Sequence, residues 1–486
     1  MTFVADLEPK ALWRHFEKIL TIPRGSKNED AIRQFIIEQA EALGLEYQMD
    51  STGNLVVSKP ATQGKDPCPT TILQGHMDMV NEKNSDVDHD FSQDAIQPQR
   101  DGDHLKASGT TLGADNGVGV AAMLAVMEAT NLVHGPLELL FTVDEETGLT
   151  GAKQLDAEML AGRRLVNLDS EEEGALCVGC AGGADSTLTL PIVSVDTPTD
   201  MVALEVRLSG LHGGHSGIDI HLQRGNAAQL LARAFYGVFL ATPVQLASLT
   251  GGSAHNAIPR EAAAVVVIPN ADKDGFVSAL ESEIEAIKEE YQTSEPEMTL
   301  EISGVDTPAQ IWDETSGRQV LRLLTGLPHG VVTMSNDIPD LVETSTNLAT
   351  IKKANDALEI GLSSRSSVAS ALTALRQKIR AIAALAGATV DEEPGYPGWK
   401  PDLDSELLRV VKAVHERVLG TEPRIEAVHA GLECGLIGEM IPGMDMISIG
   451  PHIDFPHSPN ERVKISSVEH FYNLLAATLE ELATGC

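Results

Sequence analysis

The sequence predicts an α/β catalytic domain, a mostly parallel sheet with helices on both faces, interrupted by an inserted α+β domain. Three observations predict it. The runs TTILQG (70–75), PLELLFTV (136–143) and RLVNLD (164–169) are short, continuous and apolar, with a strong helical segment, GVGVAAMLAVMEA (117–129), between the first two; buried parallel strands read this way. Beyond LCVGCAGGAD the pattern changes to period-two alternation, in STLTLPIV and MVALEVRLSG, as in strands with one solvated face. Finally, DEEPGYPGWKPD (391–402) carries four prolines or glycines between Pro394 and Gly398, the mark of a hinge crossing.

In chain order, 7–20 and 28–43 have helical periodicity, the second closed by Gly44. LEYQMD and NLVVSKP form a hairpin around Ser51–Gly53. Residues 81–110 are polar, acidic and loop-like. The insert holds helices at NAAQLLARAFYGVFL, 273–291, 312–325 and 367–386, interleaved with VQLASL, EAAAVVVIP, MTLEISGV, PDLVETSTNLATI and ALEIGLSSRSS. This βαββαβ-like alternation reads as a separate domain. Past the hinge, two helices and the strand MDMISIG lead to His457, and a last helix spans 466–483. The expected division is therefore a discontinuous first domain, 1–184 with 397–486, and an insert at 185–396.

Composition narrows the function. With 486 residues the chain makes two or three domains. Aromatic content of 4% leaves the core to Leu, Val, Ile, Ala and Met. A net charge of −36 argues against nucleic acid and against an anionic membrane surface. No apolar run reaches the ~18 residues of a membrane span, and MTFVADLEPKALWRHFEKIL lacks the apolar stretch of a signal peptide. Five cysteines (68, 177, 180, 434, 486) are too sparse for a disulfide scaffold. The simplest location is the cytoplasm. Cys177 and Cys180 make a lone CxxC, which packing explains more simply than redox chemistry or a metal half-site.

Five residues of metal-ligating type stand where chemistry collects, after or near the apolar strands: His76 (LQGHMD), Asp115 (LGADNG), Glu146 (FTVDEETG), Asp169 (VNLDS) and His457 (DFPHSP). Two imidazoles and three carboxylates suit a two-metal hydrolase. Asp78, two residues beyond His76, is placed to accept the other ring N–H and fix the tautomer. Asp115 has two oxygens and can bridge two cations, or cap helix 117–129, or both. Glu145 and Glu146 are adjacent and point in different directions, so one can ligate while the other reaches a water.

The segments GHMDMV, GADNGVGVA, DEETG, NLDSEE, GGHSG and the closing stretch at His457 resemble the co-catalytic zinc peptidases that include glutamate carboxypeptidase and peptidase T. LHGGHSGIDIH, GGSAHNAIPREA, LSSRSS and HAGLECGLI are similar to the aminoacyl-histidine dipeptidase branch. The resemblance implies two Zn2+ per chain, one held by His76, Asp115 and Asp169, the other by Asp115, Glu146 and His457; Co2+ or Mn2+ can substitute in so carboxylate-rich a site. It implies Glu145 as the general base acting on a metal-activated water, a cis Asp115–Asn116 peptide, and His215 stabilising the oxyanion from the partner subunit of a homodimer. It gives Arg365 the substrate carboxylate, Asn256 the substrate backbone, and Glu433 a place near the substrate amine or behind the ligands. The insert then serves as lid and dimerisation domain. The implied activity is hydrolysis of unprotected dipeptides, Xaa-His type with broad specificity. An N-acyl amino-acid amidohydrolase would share the metals, and a non-catalytic metal-binding assembly protein would keep the fold; the latter should carry a broken ligand or a missing base, and none is broken.

Overall fold

The computed structural model describes residues 4–239 and 244–485; Leu240, the last residue of one expected helix, and Cys486 lie outside them. The described chain divides into two compact units. Among the described residues, one comprises 4–180 with 399–427 and 432–485; the other falls within 181–398 and 428–431.

The first unit is built on an eight-stranded sheet in the order Glu46–Met49, Leu55–Lys59, Leu137–Thr142, Thr71–His76, Arg164–Asn167, Asp445–Ser448, Ala175–Cys180, Arg424–Val428. Its four central strands, from Leu137–Thr142 to Asp445–Ser448, run parallel. The hairpin at one side and the pairing of 448 with 177 at the other are antiparallel, so the sheet is mixed with a parallel centre. Thr71–His76 and Leu137–Thr142 are buried at every position, as strands covered on both faces must be. The helix Ala114–Glu128 packs on Thr71–His76 and is buried almost all round, which is why it shows no amphipathic stripe. Helix Lys10–Ile19 buries Leu12, Trp13, Phe16 and Ile19 on one face.

Three features depart from the sequence reading. The acidic stretch 81–110 contains a hairpin, Pro98–Asp101 with His104–Ala107, that joins a small sheet with Arg462–Lys464 and Ile453–Asp454. Its first strand is mostly exposed and polar, PQRD, and so carries no apolar alternation. The strand Arg424–Val428, RIEAV, is only half-buried at its centre and exposed at both ends, and the sequence reading did not separate it from the helices around it. LCVGCAGG, read only as a boundary, forms the buried strand Ala175–Cys180. That settles the CxxC: residues three apart on a strand point to opposite faces, so Cys177 and Cys180 cannot pinch one ion or close on each other. Burial also pushes the Cys180 thiol up to about 11.

The second unit is a nine-stranded sheet, antiparallel throughout its pairings, running from Thr299–Val305 at one edge through Met201–Ser209, Ala262–Pro269, Gln245–Gly251, Val342–Ala354, Ala357–Ser366 and Gly182–Pro191 to Thr389–Glu392, with Gly330–Met334 added beside Val342–Ala354. Helices Ala227–Phe239, Lys273–Tyr291, Glu314–Gly326 and Ala369–Leu385 supply the other side of its core, in which Phe235, Phe276 and Leu324 meet Leu188, Leu204 and Leu348.

Candidate metal centre and substrate residues

In the first unit, the parallel strands end side by side and deliver their next residues to one place. His76 closes its strand, and Asp169 follows Arg164–Asn167 by two residues. Asp115 sits where the chain enters the long helix; its ψ of 117° is extended, and the Asp115–Asn116 peptide is cis, as the resemblance implies. Asn116 then points inward: its Nδ2 donates to the Leu168 carbonyl at 2.7 Å, and a Cβ at Gly75 would fall 2.2 Å from its Oδ1. That close approach explains the glycine before His76.

The five candidate ligands form two triads that share Asp115. His76 Nε2 lies 3.0 Å from Asp115 Oδ1 and 3.3 Å from Asp169 Oδ1. His457 Nε2 lies 3.0 Å from Asp115 Oδ2 and 3.0 Å from Glu146 Oε2. One oxygen of Asp115 therefore faces each triad. A tetrahedral ion with bonds of about 2.0 Å holds its ligand atoms roughly 3.3 Å apart, so the donor spacing fits a small cation in each. A further observation fits: Glu146 Oε1 is buried with no hydrogen-bond partner, a state polar atoms rarely keep unless something else satisfies them.

The electrostatics have the same sense. Burial alone would depress His76, yet Asp169, Asp115 and Asp78 raise it well above the usual histidine range. Bonds to Asp115 and Glu146 push His457 up to about 11. Asp115 falls well below the carboxylate range although burial opposes this, because both imidazoles face it. The site favours positive charge. Asp169 is raised to about 6, first by burial and then, against His76, by Asp115 and Glu146.

Asp78 ties the parts together. It is fully buried. Its Oδ1 lies 3.2 Å from His76 Nδ1 and accepts from the Glu145 amide at 3.1 Å; its Oδ2 accepts from Ser26 Oγ at 2.8 Å and from the Glu146 amide at 3.2 Å. Burial would raise this carboxyl, but these partners bring it down to about 2. The loop carrying Glu145 and Glu146 is braced again by Glu29, which accepts from the Asp144 amide, and by Asn54, which spans Val143 and Gly151. Glu145 belongs to a third cluster with His76 and Glu146. Burial, then Asp169, Glu146 and Glu433 against the pull of His76, raises it well above the ordinary glutamate range.

Glu433 is fully buried and accepts from Gln74 and Thr142 at 2.5 and 2.7 Å. It stands behind the strand ends. Burial lifts it to about 7.

His215, Asn256 and Arg365 lie in the second unit. His215 and Asn256 line a cavity of about 710 Å³ with Gly252, Ser253 and Arg260. His215 Nδ1 accepts from the amides of Gly217 and Ile218 at 3.2 and 3.0 Å; that leaves the proton on Nε2, a donor tautomer. Arg365 donates from Nη1 to the Tyr396 hydroxyl at 3.0 Å, while its Nε is buried without a hydrogen-bond partner. A Cβ at Gly217 would fall 2.3 Å from the His429 carbonyl and 3.2 Å from both Arg365 Nε and His215 Cε1, so GGHSG, Arg365 and His429 pack as one group. His429 binds Ser345 Oγ at 2.7 Å; burial, then the Arg365 charge, pushes it down to about 3. His212 and His221, unassigned from sequence, are engaged by Glu295 and by the Ile218 carbonyl.

Sequence reasoning passed over Arg24, Glu461, His429 and Tyr396. His429 stood in HAGLECGLI and Tyr396 in the hinge segment DEEPGYPGWKPD, whereas Arg24 and Glu461 stood in no motif.

A parallel-centred sheet with two carboxylate–imidazole triads at its strand ends defines a candidate co-catalytic metal site of hydrolase type. The profile of Peptidase family M20/M25/M40 matches residues 72–481, and the chain belongs to that family. It is similar to the cytosol non-specific dipeptidase of Escherichia coli K12, 39% identical over 482 residues, 99% of each chain. It is also similar to the crystal structure of aminoacylhistidine dipeptidase from Vibrio alginolyticus, with a TM-score of 0.91 and 42% identity over 98% of this chain and 97% of that one. Aminopeptidase PepT from Bacillus cereus shares the fold, with a TM-score of 0.57 and 18% identity over 98% and 99% of the two chains.

Proposed function

We propose that the protein is a zinc-dependent dipeptidase that hydrolyses unprotected dipeptides, of the Xaa-His type with broad specificity. The observation that carries the reading is the pair of triads on Asp115 with Glu145 beside them. His76, Asp115 and Asp169 would hold one cation, and Asp115, Glu146 and His457 the other. When bound, two divalent cations supply charge stabilisation for the polarised carbonyl and an acidified water.

The chain's own residues do the rest. Glu145, poised high by burial, takes the proton of the attacking water at its carboxylate and returns it to the leaving amine. Asp78 keeps His76 in one orientation and both glutamates in place. His215, reaching across from the second copy of the homodimer, offers Nε2–H to the developing oxyanion. Arg365, with its buried Nε lacking a hydrogen-bond partner, takes the substrate's terminal carboxylate as a fork, and Asn256 bonds the substrate backbone. The relatives, a cytosol non-specific dipeptidase and an aminoacylhistidine dipeptidase, support this substrate class.

The inserted unit acts as lid and homodimer surface. Its outermost strand, Thr299–Val305, has one edge without a strand partner among the described residues, an edge that pairing would cover. No described helix is long and apolar enough to cross a membrane, and we assign the enzyme to the cytoplasm.

The test is metal analysis combined with hydrolysis of free dipeptides, β-alanyl-histidine included, against N-acylated amino acids. Two zinc per chain and turnover of the free dipeptides are expected. Preference for the acylated set would replace this reading with an amidohydrolase, and two zinc without turnover would leave a binding protein. Light scattering after size exclusion tests the dimer, which a monomer at working concentration would refute.

A further inference from the structure

We propose that Arg24 and Glu461 are a buried pair of positioning residues that hold the 112–115 loop, and with it Asp115, in its ligating geometry. The proposal rests on the reading of Asp115 as the ligand shared between two cations.

Glu461 is 2% exposed, and its carboxylate accepts from four consecutive backbone amides. Oε2 takes Leu112 and Gly113 at 2.7 and 3.0 Å; Oε1 takes Ala114 and Asp115 at 2.7 and 3.4 Å. A buried anion is tolerated only when hydrogen bonds replace its water, and here the loop backbone supplies them all. The converse also holds. Four amides pointing one way have no helical partners at a helix entrance, and Glu461 is what satisfies them.

Arg24 does the complementary work on the carbonyls. It is 2% exposed, with Nη1 donating to the carbonyls of Met77 and Asp78 at 3.0 and 2.6 Å and Nη2 donating to that of Gly113. Gly113 is thus held through both of its flanking peptides, its N–H by the anion and its C=O by the cation. Cβ atoms at Gly113 and Gly117 would each fall 2.6 Å from Arg24 Nη2. The glycines of LGADNG are therefore the space the guanidinium occupies.

The consequence concerns three ligands at once. Arg24 joins the chain just after His76 to the chain just before Asp115. Glu461, four residues beyond His457, joins the His457 loop to the same place. Neither side chain belongs to the triads. Glu461 acts through the Asp115 amide and its neighbours, and Arg24 through the backbone beside His76 and Asp115.

The experiment compares wild type, Glu461→Gln and Arg24→Lys as full chains, both stripped of metal and loaded. Glutamine keeps the shape but turns an NH2 toward two of the four amides. Lysine keeps the charge but loses the fork. Hydrogen exchange of the metal-free proteins should show the 112–115 amides exchanging at least about tenfold faster in Glu461→Gln, with the Ala175–Cys180 strand unchanged. Competition titration with zinc should show roughly 10- to 100-fold weaker binding in both variants, the usual effect of losing support behind a ligand. The absorption bands of the cobalt-loaded protein should shift, and kcat should fall with KM within about twofold. Unaltered exchange at 112–115, or exchange raised equally across the central sheet, would overturn the clamp. So would two variants that fail to fold at all, since the pair would then be a general structural requirement. If wild type itself takes up fewer than two cations, the shared-ligand reading fails; if it takes two and the variants hold them as tightly, only the clamp fails.

Discussion

Asp78→Asn isolates one carboxylate that touches everything yet is not proposed to ligate. In the native chain its two oxygens serve His76 Nδ1 and the Glu145 amide on one side, Ser26 and the Glu146 amide on the other. An asparagine keeps one oxygen. Whichever way its amide turns, an NH2 faces one of the two backbone N–H groups at about 3.1–3.2 Å. A buried donor left without an acceptor costs about 1–3 kcal/mol, and the site is fully buried, so solvent does not relieve it. The metal-free protein should lose that much stability to urea. A supporting partner lost behind a metal-binding histidine costs roughly 10- to 100-fold in affinity, about 1.4–2.8 kcal/mol. Zinc affinity is read by competition with a chromophoric chelator, and unfolding by far-UV circular dichroism. Ser26→Ala is the control. It removes one hydroxyl donor and should cost about 0.5–1.5 kcal/mol, with zinc affinity nearly intact. Zinc affinity within twofold of wild type together with an unchanged urea midpoint in Asp78→Asn would refute the reasoning.

Glu145→Ala should retain two zinc while turnover drops by about 10²–10⁴, the range of lost general-base catalysis; metal content by mass spectrometry and steady-state rates decide it. Arg365→Lys should raise KM for free dipeptides roughly 10- to 100-fold, since a charged hydrogen bond contributes about 1.5–3 kcal/mol, and leave zinc binding alone. The pH prediction concerns His429. Its folded value of about 3 lies below the 6.5 of an unconstrained histidine, so below pH 6.5 the unfolded chain binds a proton that the folded chain refuses. Stability is therefore whole above pH 6.5 and declines as pH falls toward 3, by about 2–3 kcal/mol at pH 4.5. His429→Gln should flatten that decline in urea titrations at pH 7 and 4.5; equal slopes in variant and wild type would count against it.

What the sequence disclosed follows from which physics leaves a pattern. Thr71–His76, Leu137–Thr142 and Arg164–Asn167 are buried strands, and burial writes continuous apolar runs. The ligands then follow the strand ends, so His76, Asp169 and the Glu145–Glu146 pair could be placed before their spacing was known. The helix 273–291 agrees with its periodicity to the residue. The hairpin 98–107 escaped because strands on the surface need no apolar alternation. Arg24 and Glu461 escaped for a different reason. Their partners are backbone groups far away in sequence, and backbone amides look alike whatever residue carries them. Only the glycines at 113 and 117 hinted that something large stood nearby.

Cys68, Cys177, Cys180 and Cys434 are all buried thiols; Cys434 follows Glu433 directly and lies among Cys177 and Cys180. A bulky maleimide can reach them only when that region opens. The rate of alkylation then becomes an internal clock for breathing of the central sheet, and comparing it with and without zinc measures how far a cation at the strand ends quiets motion beneath them.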